Sequence, residues 1–231
     1  MFKITKEELA RYIDQTNLNP AATQTDMALF VEEAKSYSFR TVALMTSWVP
    51  LATQILEGST TSIVASVGFP LGTYPTESKV AETKWAINNG LKNIEIDMVM
   101  NISLFKSGRF DQVEQDIRAV VKAASGHTVK VIIEVSLLNR EEIIIASMIA
   151  EKAGVNFVKT STGFRGFKRM RPSTPEDVRL IKDVVGDRVE VKIAGGVFSL
   201  EQALMAIEAG ASRIGTIMGI PIVEAVGKLA K

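Results

Sequence analysis

The chain has 231 residues, enough to bury a large core in one domain, and 46% of them are hydrophobic. Its 27 basic and 26 acidic residues leave a net charge of +1, so charge indicates neither a nucleic acid nor a membrane surface as a partner. The absence of cysteine and the single histidine exclude disulfides, thiol nucleophiles and multi-histidine metal sites. No apolar run approaches the roughly 20 residues of a membrane span, and the charged N-terminal stretch does not resemble a secretory signal. We therefore expect a cytoplasmic protein with neither a membrane nor a nucleic-acid partner.

Eight short runs rich in β-branched residues are predicted strands. In chain order they are Tyr12–Asp14, Thr41–Met45, Ser62–Val67, Asn93–Asp97, Val129–Glu134, Asn156–Lys159, Arg188–Lys192 and Arg213–Gly215. Six amphipathic segments with a 3.6-residue period lie among them as predicted helices. They are Thr23–Tyr37, Glu77–Asn89, Phe110–Ala124, Arg140–Ala153, Thr174–Val185 and Leu200–Ala209.

A repeated glycine marks the step from helix to strand. Gly90, Gly154, Gly186 and Gly210 each end a predicted helix shortly before a predicted strand, as glycine often does at a helix C-terminus. Eight strand–helix repeats without a linker predict a single (β/α)8 barrel spanning residues 1–231. A doubly wound open sheet is the alternative, but the G-x-G-x-x-G turn typical of that fold does not follow the first strand.

Charged residues end several predicted strands. In a parallel barrel the chemistry lies at the C-terminal ends of the strands. There the sequence places Asp97 and Glu134 on strands 4 and 5, and Lys159 and Lys192 on strands 6 and 7. Any one of them alone would be read as a solvated surface charge. Four on consecutive strands, each directly after core residues, indicate a site.

Two lysines on neighbouring strands favour imine chemistry. Like charges in a desolvated site disfavour double protonation, so one amine is expected to be neutral near pH 7. A neutral amine attacks a carbonyl to form a protonated imine, an electron sink that lets an adjacent C–C bond break or form. Asp97 would then move protons, directly or through water. This chemistry requires no metal and no organic cofactor.

Several motifs resemble the deoxyribose-phosphate aldolase family, and the resemblance runs nearly end to end. The most specific blocks are Phe157-Val158-Lys159-Thr160-Ser161-Thr162-Gly163-Phe164 and Val191-Lys192-Ile193-Ala194-Gly195-Gly196, supported by Glu95-Ile96-Asp97-Met98-Val99 and Gly210-Ala211-Ser212-Arg213-Ile214-Gly215-Thr216. The resemblance implies a (β/α)8 barrel that reversibly splits 2-deoxy-D-ribose 5-phosphate into D-glyceraldehyde 3-phosphate and acetaldehyde. It also implies a cytoplasmic homo-oligomer, a dimer or tetramer, acting on aldehydes and sugar phosphates.

The same resemblance implies roles for individual residues. Lys159 matches the Schiff-base lysine, Lys192 the second lysine that lowers its pKa, and Asp97 the proton-transfer residue. The expected substrate-binding residues are Asp14, Thr16, Thr162, Gly163, Gly195, Gly196 and Gly215. The glycines would let the backbone approach an anion, although turn glycines are an equally good reading without the resemblance.

The sequence departs from the family pattern at four places. Ile217 and Met218 stand where small hydroxyl residues usually help hold the phosphate, and Met45-Thr46 replaces an Asn-Pro pair. Gln15 and Asn17 also differ on strand 1, and Val135 follows Glu134 where threonine is common. We expect the changes at 45 and 217–218 to make the pocket more apolar and to weaken phosphate binding.

Two further functions stay open at this point. One is a Schiff-base aldolase with a preference for unphosphorylated or more hydrophobic aldehydes. The other is a catalytically silent barrel that binds a sugar phosphate or a protein. The basic stretch Arg165–Arg171, with its interleaved aromatic residue, is read as a solvated loop that could steer an anionic substrate.

Overall fold

The computed structural model describes residues 4–164 and 170–227. Eight parallel strands pair in sequence order, and β8 pairs with β1 to close a barrel. The strands are β1 (Ile13–Asn17), β2 (Thr41–Met45), β3 (Ser62–Val67), β4 (Glu95–Val99), β5 (Val129–Ile132), β6 (Phe157–Lys159), β7 (Glu190–Ala194) and β8 (Arg213–Thr216). The closed barrel confirms the predicted fold and rules out the open doubly wound sheet.

The helices surround the barrel in the described parts of the chain. They are α1 (Lys6–Ala10), α2 (Gln24–Ser36), α3 (Val49–Leu56), α4 (Thr76–Asn89), α5 (Ile102–Lys106), α6 (Phe110–Ala123), α7 (Arg140–Ala153), α8 (Pro175–Val185), α9 (Leu200–Glu208) and α10 (Gly219–Glu224). None of these helices is long and apolar enough to cross a bilayer.

Local signals explain where several helices begin. Thr23, Asn139 and Thr174 each form a reciprocal capping box with an acidic residue three positions on, which satisfies two backbone N–H groups at the helix start. Helices α1, α3 and α5 were not among those predicted, and the first turn of α3 contains Pro50. Proline is tolerated there because the first-turn N–H groups have no intrahelical acceptor.

Three strands extend beyond a charged residue that was predicted to end them. β1, β4 and β7 continue past Asp14, Asp97 and Lys192, so these charges lie inside strands rather than at their ends. Asp97 lies in register with Lys130 of β5, and Lys192 lies in register with Arg213 of β8. The functional groups therefore lie within the barrel, beneath its C-terminal rim.

Candidate active site

A carboxylate at the centre of the barrel joins two lysines. Oδ2 of Asp97 accepts hydrogen bonds from Nζ of Lys159 at 2.7 Å and from Nζ of Lys192 at 2.9 Å. Lys192 lies on β7 and Asp97 on β4, three strands away, so their contact must cross the barrel interior. All three side chains are buried. The structure thus brings together the three residues that the sequence predicted as catalytic.

A second layer of charges lies around this centre. Nζ of Lys192 is 2.6 Å from Oδ2 of Asp14, and Nζ of Lys130 is 3.1 Å from Oδ1 of Asp97 and 2.5 Å from Oε2 of Glu95. Arg213 connects two of the carboxylates. Its guanidinium donates to Oδ1 of Asp14 at 2.6 Å and to Oε1 of Glu95 at 2.8 Å. Buried charges are tolerated when opposite charges compensate them. Each charge here has such a partner, although Nζ of Lys130 contacts its two carboxylates as ion pairs without a hydrogen bond.

The sequence analysis missed Lys130, Glu95 and Arg213. Each lies two residues from another inward-facing position of its strand: Glu95 precedes Asp97, and Arg213 precedes Gly215. Alternate residues of a strand share a face, so the two-residue spacing was the available signal. Charges one step deeper than a strand end do not have the local mark that a strand end leaves in the sequence.

The two central lysines have opposite protonation properties. Burial is the main cause that lowers the pKa of Lys159 to about 8, and the positive charge of Lys192 adds to it against the attraction of Asp97. Burial also acts to lower the pKa of Lys192, but Asp14 and Asp97 outweigh it and raise the pKa above its ordinary value. Lys159 is therefore the more easily deprotonated of the two lysines, with burial as the larger cause and the second lysine as the smaller.

Both central carboxylates are ionised at neutral pH. Burial acts to raise the pKa of Asp97, but Lys130, Lys159 and Lys192 together hold it well below the ordinary value. Lys192 and Arg213 likewise outweigh burial and lower the pKa of Asp14. Asp97 can therefore accept a proton or a hydrogen bond, while Lys192 is the protonated group beside it.

A cavity of about 1040 Å³ opens at the C-terminal end of the barrel. Of the described residues that line it, Lys159 is the only cation, while Lys192 and Asp97 lie beneath the surface of the cavity. Thr16, Thr162, Gly163, Gly195, Gly196 and Gly215 also line the cavity. A substrate in this cavity meets the amine of Lys159 and not that of Lys192.

The cavity glycines are required by close packing. A Cβ at Gly196 would lie 2.2 Å from the carbonyl oxygen of Ser173, and one at Gly215 would lie 3.1 Å from Cε of Lys192. Gly163 and Gly195 both have positive φ and face each other across the loops after β6 and β7. The contact at Gly196 leaves no room for a side chain, and the positive φ angles at Gly163 and Gly195 are strained for any other residue. The glycines therefore shape the wall next to both lysines.

Glu134 does not join the lysines, contrary to its predicted place among the charges of the site. β5 ends at Ile132, and Glu134 has a left-handed backbone with φ of 56°. Its Oε2 accepts from the backbone N–H of Thr162 at 3.0 Å and from the hydroxyl of Thr162 at 2.5 Å. Glu134 thereby anchors the loop that follows Lys159, and the Thr162 hydroxyl is engaged in that anchor.

Of the three positions predicted to make the pocket more apolar, one lines the cavity. Ile217 lines the cavity and is 63% exposed, but neither Met218 nor Met45 lines it. Met218 packs instead against the hydrophobic core. The expectation of a more apolar pocket is therefore wrong for positions 45 and 218 and holds for Ile217.

Backbone donors near Ile217 are already in use. The N–H of Met218 donates to Oγ1 of Thr216 at 3.0 Å, and the N–H of Gly219 donates to Oε1 of Gln15 at 3.0 Å. Gln15, one of the departures from the family pattern, thus holds the start of α10.

Part of the predicted basic stretch, residues 165–169, lies outside the described residues. Arg171 is described, and its guanidinium donates to both carboxylate oxygens of Asp177 at 2.6 and 2.7 Å. Among the described residues, no group of three or more acidic or histidine side chains is arranged to hold a metal ion.

Comparison with known proteins identifies relatives along almost the whole chain. Residues 9–224 match the model of the DeoC/LacD family aldolases. Deoxyribose-phosphate aldolase 1 of Staphylococcus aureus (strain MRSA252) is 50% identical over 214 residues, which are 93% of this chain and 94% of that protein. The deoxyribose-phosphate aldolase of Staphylococcus saprophyticus is 48% identical over 215 residues, 93% of this chain and 95% of that protein. The tetrameric deoxyribose phosphate aldolase from Aeropyrum pernix has a TM-score of 0.88 at 31% identity, covering 97% of this chain and 93% of that one. These matches confirm the resemblance drawn from the motifs, and the chain belongs to the DeoC/LacD aldolase family.

Proposed function

We propose that the protein reversibly cleaves 2-deoxy-D-ribose 5-phosphate to D-glyceraldehyde 3-phosphate and acetaldehyde through an imine on Lys159. The observation that carries this proposal is that the amine of Lys159 lines the cavity, where a substrate can reach it. The surroundings of Lys159 also lower its pKa to about 8. A pKa near 8 leaves roughly a tenth of the amine neutral at pH 7. The relatives named as deoxyribose-phosphate aldolases support the choice of substrate.

The reaction begins when Nζ of Lys159 attacks the C1 aldehyde of the open-chain sugar. The carbinolamine loses water and becomes a protonated imine. The C3 hydroxyl then loses its proton and becomes the aldehyde of glyceraldehyde 3-phosphate as the C2–C3 bond breaks. The bonding electrons move into the imine to give an enamine. Protonation at C2 and addition of water release acetaldehyde and regenerate the free amine.

We assign the proton transfers to the groups around Lys159. Asp97 is the ionised acceptor beside the amine, at 2.7 Å from Nζ. Nζ of the protonated Lys192 lies 2.9 Å from the same oxygen. Its positive charge disfavours an ammonium on Lys159. Asp14 keeps Lys192 protonated and in place from the opposite side. Because these groups are fixed before the substrate binds, the site needs little reorganisation during the reaction.

The rest of the substrate would lie along the glycine-lined wall. Gly163, Gly195, Gly196 and Gly215 leave room for a phosphate to approach the backbone, and Thr16 and Thr162 border the same space. We propose these residues as the sugar-phosphate binding surface. The exposed Ile217 on this wall favours a second candidate, an aldolase of the same mechanism with weakened phosphate preference.

Steady-state cleavage kinetics test the proposal and separate the candidates. Glyceraldehyde 3-phosphate or glyceraldehyde would be measured from 2-deoxyribose 5-phosphate and from 2-deoxyribose, respectively. Activity on the phosphate that is lost in Lys159→Leu supports the proposal. Comparable kcat/KM values for both sugars would favour the second candidate. Absence of cleavage and of any imine adduct in folded protein would leave a binding barrel without catalysis.

We also propose that the protein works as a homo-oligomer in the cytoplasm. The tetrameric state of the relative from Aeropyrum pernix supports an oligomer. Light scattering of the purified protein would measure its mass directly, and a monomeric mass would contradict this part of the proposal.

A further inference from the structure

The cavity extends beyond the barrel mouth along one face of α2. Asp26, Leu29, Phe30 and Glu33 line it and follow one another at helical spacing, so they share a face. Ile220 and Pro221 of α10 also line the cavity. We call this part of the cavity, formed by these six residues, the α2–α10 groove. It is continuous with the space that holds Lys159.

Leu29 and Phe30 of α2 give the groove an apolar wall, and Phe30 also packs against the core. Met27, Val31 and Ala34 bury one face of α2 in the core. Leu29 belongs to a second apolar face and is 61% exposed, although leucine is usually buried. Phe30 beside it is half-buried. An exposed apolar wall inside a cavity is typical of a ligand site.

Size and charge restrict what the groove accepts. A cavity of about 1040 Å³ is at the upper end of the roughly 300–1000 Å³ that holds drug-sized ligands, and a five-carbon sugar phosphate is smaller than such ligands. The charged residues of the groove, Asp26 and Glu33, are both acidic. They repel an anionic group at the far end of a ligand, so the groove suits an uncharged apolar chain.

We propose that the α2–α10 groove is an acceptor subsite for aldehydes with an apolar alkyl or phenylalkyl tail. The proposal rests on the imine chemistry of Lys159 and names a substrate class for the synthetic direction. The acetaldehyde imine loses a proton from its methyl carbon to form the enamine, whose carbon attacks the acceptor carbonyl. A C–C bond forms, the carbonyl oxygen takes a proton, and water releases a 3-hydroxyaldehyde from Lys159. The acceptor's tail lies in the groove.

The test compares hexanal with propanal as acceptors for acetaldehyde. Their carbonyls have the same electronic character, and hexanal carries three more methylenes. Each fully buried methylene strengthens binding about fourfold; because the groove is open on one side, we expect kcat/KM to favour hexanal by about tenfold. In Leu29→Asp the ratio should fall to about one. Met148→Asp is the matched control, since Met148 is 57% exposed on α7 and does not line the cavity. It should keep the wild-type ratio.

Three outcomes are distinguishable. A wild-type ratio near one, with normal trapping of acetaldehyde on Lys159, overturns the subsite and leaves the imine mechanism intact. Absence of trapping in the wild type contradicts the mechanism itself, and the subsite with it. A loss of oligomer mass in Leu29→Asp, measured by light scattering, would place Leu29 between copies of the chain and also overturn the proposal.

Discussion

Lys159 and Lys192 donate to the same oxygen atom, Oδ2 of Asp97. The arrangement keeps two cationic groups near each other in a buried site, where one carboxylate oxygen serves both. Lys192 has Asp14 as a second carboxylate partner. Lys159 borders the cavity, and Asp97 is its one carboxylate partner among the described residues. This asymmetry decides which amine gives up its proton and becomes the nucleophile.

Imine formation should follow the ionisation of Lys159. Only the neutral amine attacks, so the rate should rise about tenfold per pH unit below pH 8 and level off above it, in accordance with a pKa of about 8. The rate of borohydride-trapped adduct formation with acetaldehyde, followed by intact mass from pH 6 to 9.5, measures this directly. A rate that keeps rising in proportion up to pH 9.5 would contradict the lowered pKa.

Replacing Lys192 with methionine should raise the pKa of Lys159. The variant loses a neighbouring positive charge and frees Asp97 to attract Lys159 more strongly. The pH above which the trapping rate levels off should rise by at least about one unit. Trapping at pH 7 should therefore slow by about tenfold or more. The matched control is Lys79→Met, which removes another buried lysine, one that pairs with Asp116 and does not line the cavity. The free energy of unfolding of Lys79→Met should fall, while the pH at which its trapping rate is half-maximal stays at the wild-type value.

Lys159→Met should stabilise the protein while it abolishes activity. A folded-state pKa of about 8 against the ordinary 10.5 means that the folded protein binds this proton more weakly than the unfolded chain. The protonated lysine therefore costs roughly 3 kcal/mol at pH 7, and this cost disappears as the pH rises from about 8 to 10.5. Methionine fills similar space, and Asp97 keeps Lys130 and Lys192. We expect the free energy of unfolding in urea at pH 7 to increase by about 1–3 kcal/mol. A decrease would show that the ion pair between Lys159 and Asp97 contributes more to stability than burial of the charged lysine costs.

Ile217→Ser should strengthen the preference for the phosphorylated sugar. The change removes an exposed apolar side chain from the glycine-lined wall and adds a hydroxyl donor. A hydrogen bond to a charged group is expected to raise the ratio of kcat/KM for deoxyribose 5-phosphate over deoxyribose by about tenfold. Met218→Ser serves as the control because Met218 packs on the core and does not line the cavity. An equal ratio in Ile217→Ser and wild type would place the phosphate elsewhere.

Strand order and the central lysines could be predicted from the sequence because each leaves a local pattern. β-branched runs between amphipathic segments marked all eight strands, and motif blocks marked Lys159, Lys192 and Asp97. Strand ends were harder to predict. A charge such as Asp97 is read as the end of a strand when its partner Lys130, 33 positions away, is unknown. The pairing of β4 with β5 brings the two together.

The shape of the cavity could not be predicted from the sequence for the same reason. Ile217 and Met218 are adjacent and both apolar, yet one lines the cavity and the other packs on the core. The direction of each side chain depends on how α10 begins. Gln15 of the distant β1 helps to fix that start, because its Oε1 accepts a hydrogen bond from the N–H of Gly219 at 3.0 Å. Leu29 gave no signal either, since an amphipathic helix does not reveal which exposed leucine borders a cavity.

Trapping and mapping the imine test the central claim most directly. The protein would be incubated with acetaldehyde and sodium borohydride, digested, and the modified peptide identified by mass. The account predicts one adduct, on Lys159, absent from Lys159→Leu and formed on no other lysine. An adduct on Lys192, or none in protein shown to be folded, would contradict the assignment of Lys159 as the nucleophile.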